Sequence, residues 1–150
     1  MAVNTSPIFP LTPVTSWSTT IIKTENTAMD GTGTLETDIF EVATGGTYGT
    51  RIDQIKIRAL GTNITTVMRF FINNGSTNAT AANNALIHEI TCLSTTADVD
   101  GALDDLDVLI YKGVTAVPPI QILPVGYRLL VTIGKTVATG FTVTVSGGDY

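Results

Sequence analysis

The chain has 150 residues, only 14% of them charged, with a net charge of −5 and eight basic residues scattered along its length. That length fits one domain with enough buried apolar surface to need no covalent staple. The thin, dispersed positive charge excludes a phosphate-neutralising nucleic-acid surface, and the single cysteine, Cys92, excludes an intrachain disulfide or a cysteine-based metal cluster. No apolar run approaches the ~20 residues that a membrane-spanning helix needs. Met1-Ala2-Val3-Asn4 has neither the basic start nor the apolar stretch of a secretory signal, so synthesis in a cytoplasm is expected, with no membrane partner.

Residues 1–15 differ from the rest. Pro7, Pro10 and Pro13 recur at every third position, which favours an extended segment without internal hydrogen bonds. No Lys or Arg occurs before Lys23, and Ile8, Phe9, Leu11 and Val14 are a liability in water, so this arm is expected to dock on another surface. The expected interface residues are Pro7, Ile8, Phe9, Pro10, Leu11, Pro13 and Val14, with Trp17 just beyond.

Residues 16–150 read as one β-domain. Threonine occupies 27 positions, mostly interleaved with Val, Ile and Phe, and branching at Cβ suits a pleated strand better than a helix. The pattern predicts strands over 16–24, 34–42, 50–60, 64–73, 85–93, 105–111, 119–123, 127–133 and 140–146. Turn clusters separate them, among them Asp30-Gly31-Thr32-Gly33, Thr44-Gly45-Gly46, Gly61-Thr62-Asn63 and Asn73-Asn74-Gly75. Tyr127, Leu129, Val131 and Ile133 alternate with Arg128 and Thr132, placing the first set inward and the second outward. In 50–60 the inward set Ile55, Ile57 and Ala59 leaves Ile52 out of phase, which a bulge near Asp53 corrects. Both faces of 64–73 are largely apolar, so that strand is central or meets a partner. These features predict an all-β, antiparallel two-sheet sandwich, a jelly roll or else a simpler Greek-key arrangement, with an extended amino-terminal arm.

Candidate chemistry is sparse, and the chain is expected not to be an enzyme and to use no cofactor or metal. His88 and Cys92, four residues apart on a strand, lie about 13 Å from each other, too far for a nucleophilic pair, and read as core residues on the Leu86, His88, Ile90, Cys92 face. Asp98, Asp100, Asp104, Asp105 and Asp107 lack the ligand spacing of an EF-hand; a solvated loop is expected, with a weak cation site or a charged contact with a neighbour as the alternative. Glu36 and Asp38 read as the wet side of a strand, and Gly31-Thr32-Gly33 matches no phosphate-binding fingerprint. Asn4, Asn63, Asn74 and Asn78 open N-x-Ser/Thr triplets that have no use without a secretory route. Trp17 is assigned to packing or an interface ahead of sugar stacking.

An ordered set of short pieces resembles a family of small all-β virion proteins of tailed bacteriophages, the capsid decoration or cement proteins. The set is Asp30-Gly31-Thr32-Gly33-Thr34; Arg51-Ile52-Asp53-Gln54-Ile55-Lys56-Ile57 with Gly61-Thr62; Val67-Met68-Arg69-Phe70-Phe71-Ile72; Leu123-Pro124-Val125-Gly126-Tyr127-Arg128-Leu129; and Gly147-Gly148-Asp149-Tyr150. The Asn-rich 73–84 stretch and the acidic 98–107 loop depart from the family pattern and are where contacts specific to this chain are expected. The resemblance implies a structural protein on the outer surface of the capsid. Its partners would be the major capsid protein lattice and itself, as a homo-oligomer in which a trimer is favoured. The alternative is a tail or fibre-associated module that binds a host glycan or another fibre subunit.

Overall fold

The computed structural model describes residues 10–107, 110–112, 115–117 and 121–150. Their strands are β1 (Thr12–Trp17), β2 (Phe40–Thr44), β3 (Thr50–Ala59), β4 (Thr66–Asn73), β5 (Asn84–Cys92), β6 (Asp105–Asp107), β7 (Ile110–Lys112), β8 (Thr115–Val117), β9 (Gln121–Leu123), β10 (Arg128–Ile133) and β11 (Phe141–Asp149). One sheet runs β1-β11-β3-β6, with β9 sharing the β3 edge with β6; the other runs β2-β10-β4-β5, and β7 pairs with β8 alone. Every pairing between these strands is antiparallel.

The two sheets pack face to face as a sandwich. Between them lie Ile52, Ile55 and Ile57 of β3, Met68 and Phe70 of β4, Leu129, Val131 and Ile133 of β10, and Phe141, Val143 and Val145 of β11. Each such side chain contributes about 1.5–3 kcal/mol by leaving water. Asp53 is the extra residue in the β3–β11 ladder: Gln54 pairs with Ser146 and Ile52 with Gly147. The expected bulge is therefore present, and it returns Ile52 to the core. Gly147 is required there, because a Cβ would come within 1.8 Å of the Arg51 carbonyl oxygen.

The second apolar face of β4 is covered by the chain itself. Residues 24–39 cross the outside of the β2-β10-β4-β5 sheet, and Ile39, Phe71 and Leu130 form a second buried cluster with Leu35 against it. A Cβ on Gly31 would lie 2.9 Å from Phe71 Cδ1, which measures how closely this cover approaches. The cover corrects the outward assignment of Thr132, which is fully buried. It also replaces the strand expected over 34–42. Residues 34–39 make a tight turn in which Thr34 N–H donates to Asp38 Oδ1 at 2.6 Å and Glu36 adopts φ 60°, so Glu36 and Asp38 lie on a turn and the strand begins at Phe40.

The amino-terminal part of the domain also differs from the expected strand over 16–24. The strand is Thr12–Trp17, which crosses the boundary drawn between residues 15 and 16, and residues 10–15 of the expected arm belong to or adjoin the sandwich edge. Between Trp17 and Phe40 the chain makes single bridges only, Ile22 with Phe141, Glu25 with Ile133 and Leu35 with Ile39. In β5 an extra residue, Ile87, sits between Leu86, opposite Phe71, and His88, opposite Phe70. The expected Leu86, His88, Ile90, Cys92 face is broken there, and Leu86 is 45% exposed.

Candidate interaction surfaces

Of the expected interface residues, Pro7, Ile8 and Phe9 lie outside the described residues, and the remaining five divide between the two faces of β1. Ser18 N–H donates to the Val143 carbonyl at 3.0 Å, so alternation turns the backbone groups of Ser16, Val14 and Thr12 toward β11 and those of Trp17, Thr15 and Pro13 toward the open edge. Pro13, which has no N–H, thus occupies a position where no ladder bond is lost and where it obstructs pairing with a further strand. Val14 is half-buried, and Pro10 packs on Gly148, its Cβ 2.6 Å from where a Cβ there would lie. Leu11 is 84% exposed, Trp17 58%, and Pro13 is exposed as well.

Trp17 stands at one side of a polar sheet face. Across the outer surface of β1-β11-β3-β6, Trp17, Thr144, Lys56 and Asp107 are consecutive cross-strand neighbours. Arg51 pairs with Asp53 at 2.6 Å and Arg58 with Asp105 at 3.3 Å, while the Gln54 amide donates to Asp107 at 3.1 Å. Asp105 and Asp107 therefore serve β3, leaving Asp98, Asp100 and Asp104 in the preceding loop. A cleft of about 400 Å³ separates β1 from β2, with Trp17, Leu35, Glu36 and Glu41 among its walls.

The Asn-rich 73–84 stretch turns its amides inward. Arg128 donates to Asn73 Oδ1 at 2.8 Å; Asn73 Nδ2 donates to Asn84 Oδ1 at 2.8 Å; and Asn84 and Asn78 donate to the carbonyls of Gly31 and Gly33 at 2.9 and 2.8 Å. These amides fasten the cover to the sheet, so much of the stretch expected to carry specific contacts works as scaffold. At the opposite end, buried Asn63 accepts hydrogen bonds from the N–H groups of Thr139 and Gly140 at 3.0 and 2.9 Å and donates to the Gly140 carbonyl at 3.0 Å.

His88 and Cys92 do not form a reactive pair. His88 lies beside the Phe70 ring, with centroids 6.4 Å apart, and burial lowers its pKa while Glu89 acts in the opposite direction. Burial pushes the Cys92 thiol up to about 11, so at neutral pH it stays protonated and a poor nucleophile. Among the described residues, no group of three or more His, Cys, Asp or Glu side chains is arranged to hold a metal ion, and no helix is long and apolar enough to cross a membrane.

One surface feature was not anticipated from sequence. A cleft of about 310 Å³ is lined by Thr65, Thr66, Val67, Arg69, Gly134 and Lys135. The Arg69 side chain is only 9% exposed, and its Nε pairs with Glu89 at 2.7 Å. Alternation marks Arg69 as an ordinary outward residue; the wall facing it comes from Gly134 and Lys135, more than sixty positions away, so no local signal reveals the cleft. No protein-family model, curated protein or solved structure matches the chain.

Proposed function

We propose that this chain is a structural, non-enzymatic virion protein, a capsid decoration (cement) protein of a tailed bacteriophage, which binds the major capsid protein lattice as a homo-oligomer, with a trimer favoured. The observation that carries this reading is how the amino-terminal segment is rooted. A stretch with no charged side chain before Lys23 leads into β1, an edge strand held along its length by β11, and Leu11, Pro13 and Trp17 stay at the surface beside that root. A rigid sandwich with an apolar tether suits attachment to a repeating lattice, where many modest contacts add up to stable coverage. The jelly-roll form of the sandwich is part of the proposal. It is supported by the pairing of β1 with β11, β2 with β10, β3 with β9 and β4 with β5, as in one long antiparallel ribbon folded across two sheets.

The test is to add purified chain to particles stripped of it and image them: hundreds of copies at regular positions on the head are expected. A handful of copies at the tail would favour the second reading, a tail or fibre-associated module. The observation behind that alternative is Trp17, half-exposed beside Thr144 on a polar sheet face, where a ring can stack on a sugar.

A further inference from the structure

We propose that the Arg69–Lys135 cleft is a carboxylate receptor and that its occupant is the acidic 98–101 loop of a second copy of this chain. The inference deepens, and rests on, the homo-oligomer part of the proposed function. Arg69 carries five N–H donors in a rigid fork. Its Nε–H is taken by Glu89, whereas Nη1 and Nη2 have no hydrogen-bond partner among the described residues, although the side chain is nine-tenths buried. Neither nitrogen is fully buried, so both are open to an acceptor that enters the cleft. They lie beside Gly134: a Cβ there would stand 3.4 Å from Nη1 and 3.7 Å from Nη2, so the missing side chain keeps the front of the fork open. Lys135, exposed and in no ion pair among the described residues, adds a second positive charge to the same cleft, and Thr65, whose hydroxyl accepts from Ser94 N–H, keeps its own proton to donate. Two cations with a fork geometry match a carboxylate.

The complementary surface is on the same molecule. Asp98, Asp100 and Asp104 are exposed and in no ion pair among the described residues, and Val99, between the first two, is 99% exposed. The base of the loop is fixed: Ala97 N–H donates to Thr62 Oγ1 at 2.8 Å, and Leu103 and Leu106 pack on the core. An anchored loop that displays Asp-Val-Asp matches a cleft with two cations beside Val67. Because loop and cleft are different patches, the contact can form reciprocally across a two-fold axis or head-to-tail about a higher rotation axis, and the trimer favoured above corresponds to the closed ring.

Sedimentation equilibrium of the full chain tests this through substitutions in the loop and in the cleft. Asp98→Lys with Asp100→Lys, or Lys135→Glu alone, should each raise the self-dissociation constant by about tenfold or more, and all three in one chain should cost clearly less than the two losses multiplied together, because the reversed pair offsets one of them while Arg69 still lacks its carboxylate. Gly134→Leu should cause a similar loss without any change of charge. Self-association that stays within about twofold when either side is reversed overturns the proposal, as does sensitivity to Lys135→Glu without sensitivity to Gly134→Leu. A wild-type chain that remains monomeric also overturns it; if Lys135→Glu then prevents coating of stripped particles, the carboxylate belongs to the lattice. Coating separates the two readings: a chain that assembles as described but never coats particles refutes the virion role and leaves the receptor standing.

Discussion

Thr132 faces Arg69 across the β4–β10 ladder, and its Oγ1 is the only fully buried side-chain polar atom without a hydrogen-bond partner among the described residues. A buried hydroxyl in that state costs about 1–3 kcal/mol. Thr132→Val keeps the shape, removes the hydroxyl, and should raise Tm by about 2–4 °C. Thr132→Asp should unfold the domain as Val131→Asp does, since both bury an unpaired carboxylate at a cost of several kcal/mol. Thermal melts of the three variants decide the matter, and a Thr132→Asp protein with wild-type Tm would mean that the cover over this face opens freely. His88 belongs to the same scale. Because burial lowers its folded pKa below 6.5, the unfolded chain takes up the proton first as pH falls. Its contribution is complete above pH 6.5 and is lost on descending from there through the lower folded value. His88→Gln should flatten the pH dependence of urea stability in that window, and an unchanged slope there would show that the imidazole is solvated.

Among the elements, β4 has two largely apolar faces, and the chain itself supplies cover on each: the sandwich core takes Met68 and Phe70, and residues 24–39 cover Phe71. The bulges at Asp53 and Ile87 work in opposite senses for anyone reading alternation. The first rescues Ile52 for the core; the second expels Leu86 from it. Loops, by contrast, are ordered by single amides. Asn63 joins the 60–65 turn to the 135–140 turn and also pairs through its backbone with Thr95 at 2.9 and 3.0 Å. Asn63→Ala leaves the Thr139 and Gly140 N–H groups without partners and takes one of two donors from the Gly140 carbonyl, so chemical denaturation should report a loss of about 2–4 kcal/mol. A loss under about 0.5 kcal/mol, typical of a surface position, would mean that water replaces the amide.

At the scale of the whole molecule, residues 10–14 of the amino-terminal segment belong to the edge of the sandwich. Leu11 N–H bonds to the Asp149 carbonyl at 2.7 Å, and Thr12, Pro13 and Val14 pair with Asp149, Gly148 and Gly147. Deleting residues 2–9 should therefore leave Tm within about 1 °C, whereas deleting 2–14 removes half of an edge strand and should lower it by several degrees, about 2–4 °C for each kcal/mol lost. Both deletions should reduce coating of stripped particles if the arm is the tether. Undiminished coating by the 2–9 deletion would transfer attachment to the sandwich itself.

Sequence alone was sufficient for the all-β class, the turn positions, the core faces of β3, β10 and β11, and the Asp53 bulge, because period-two alternation and glycine-rich turns are local consequences of a pleated backbone with one wet side. It failed where distant chain altered what a face meets. Thr132 alternates like any outward residue, and only the return of residues 24–39 over the sheet buries it, together with Phe71, whose strand already read as apolar on both faces. The edge strand at Thr12–Trp17 read as an arm because proline spacing describes backbone conformation, and it is pairing with β11 that makes this segment part of a sheet. The Arg69 cleft was invisible for the same reason: its walls come from strand ends that only the tertiary fold brings together, and whether a charge is paired or left open depends on those neighbours rather than on its place in the alternation.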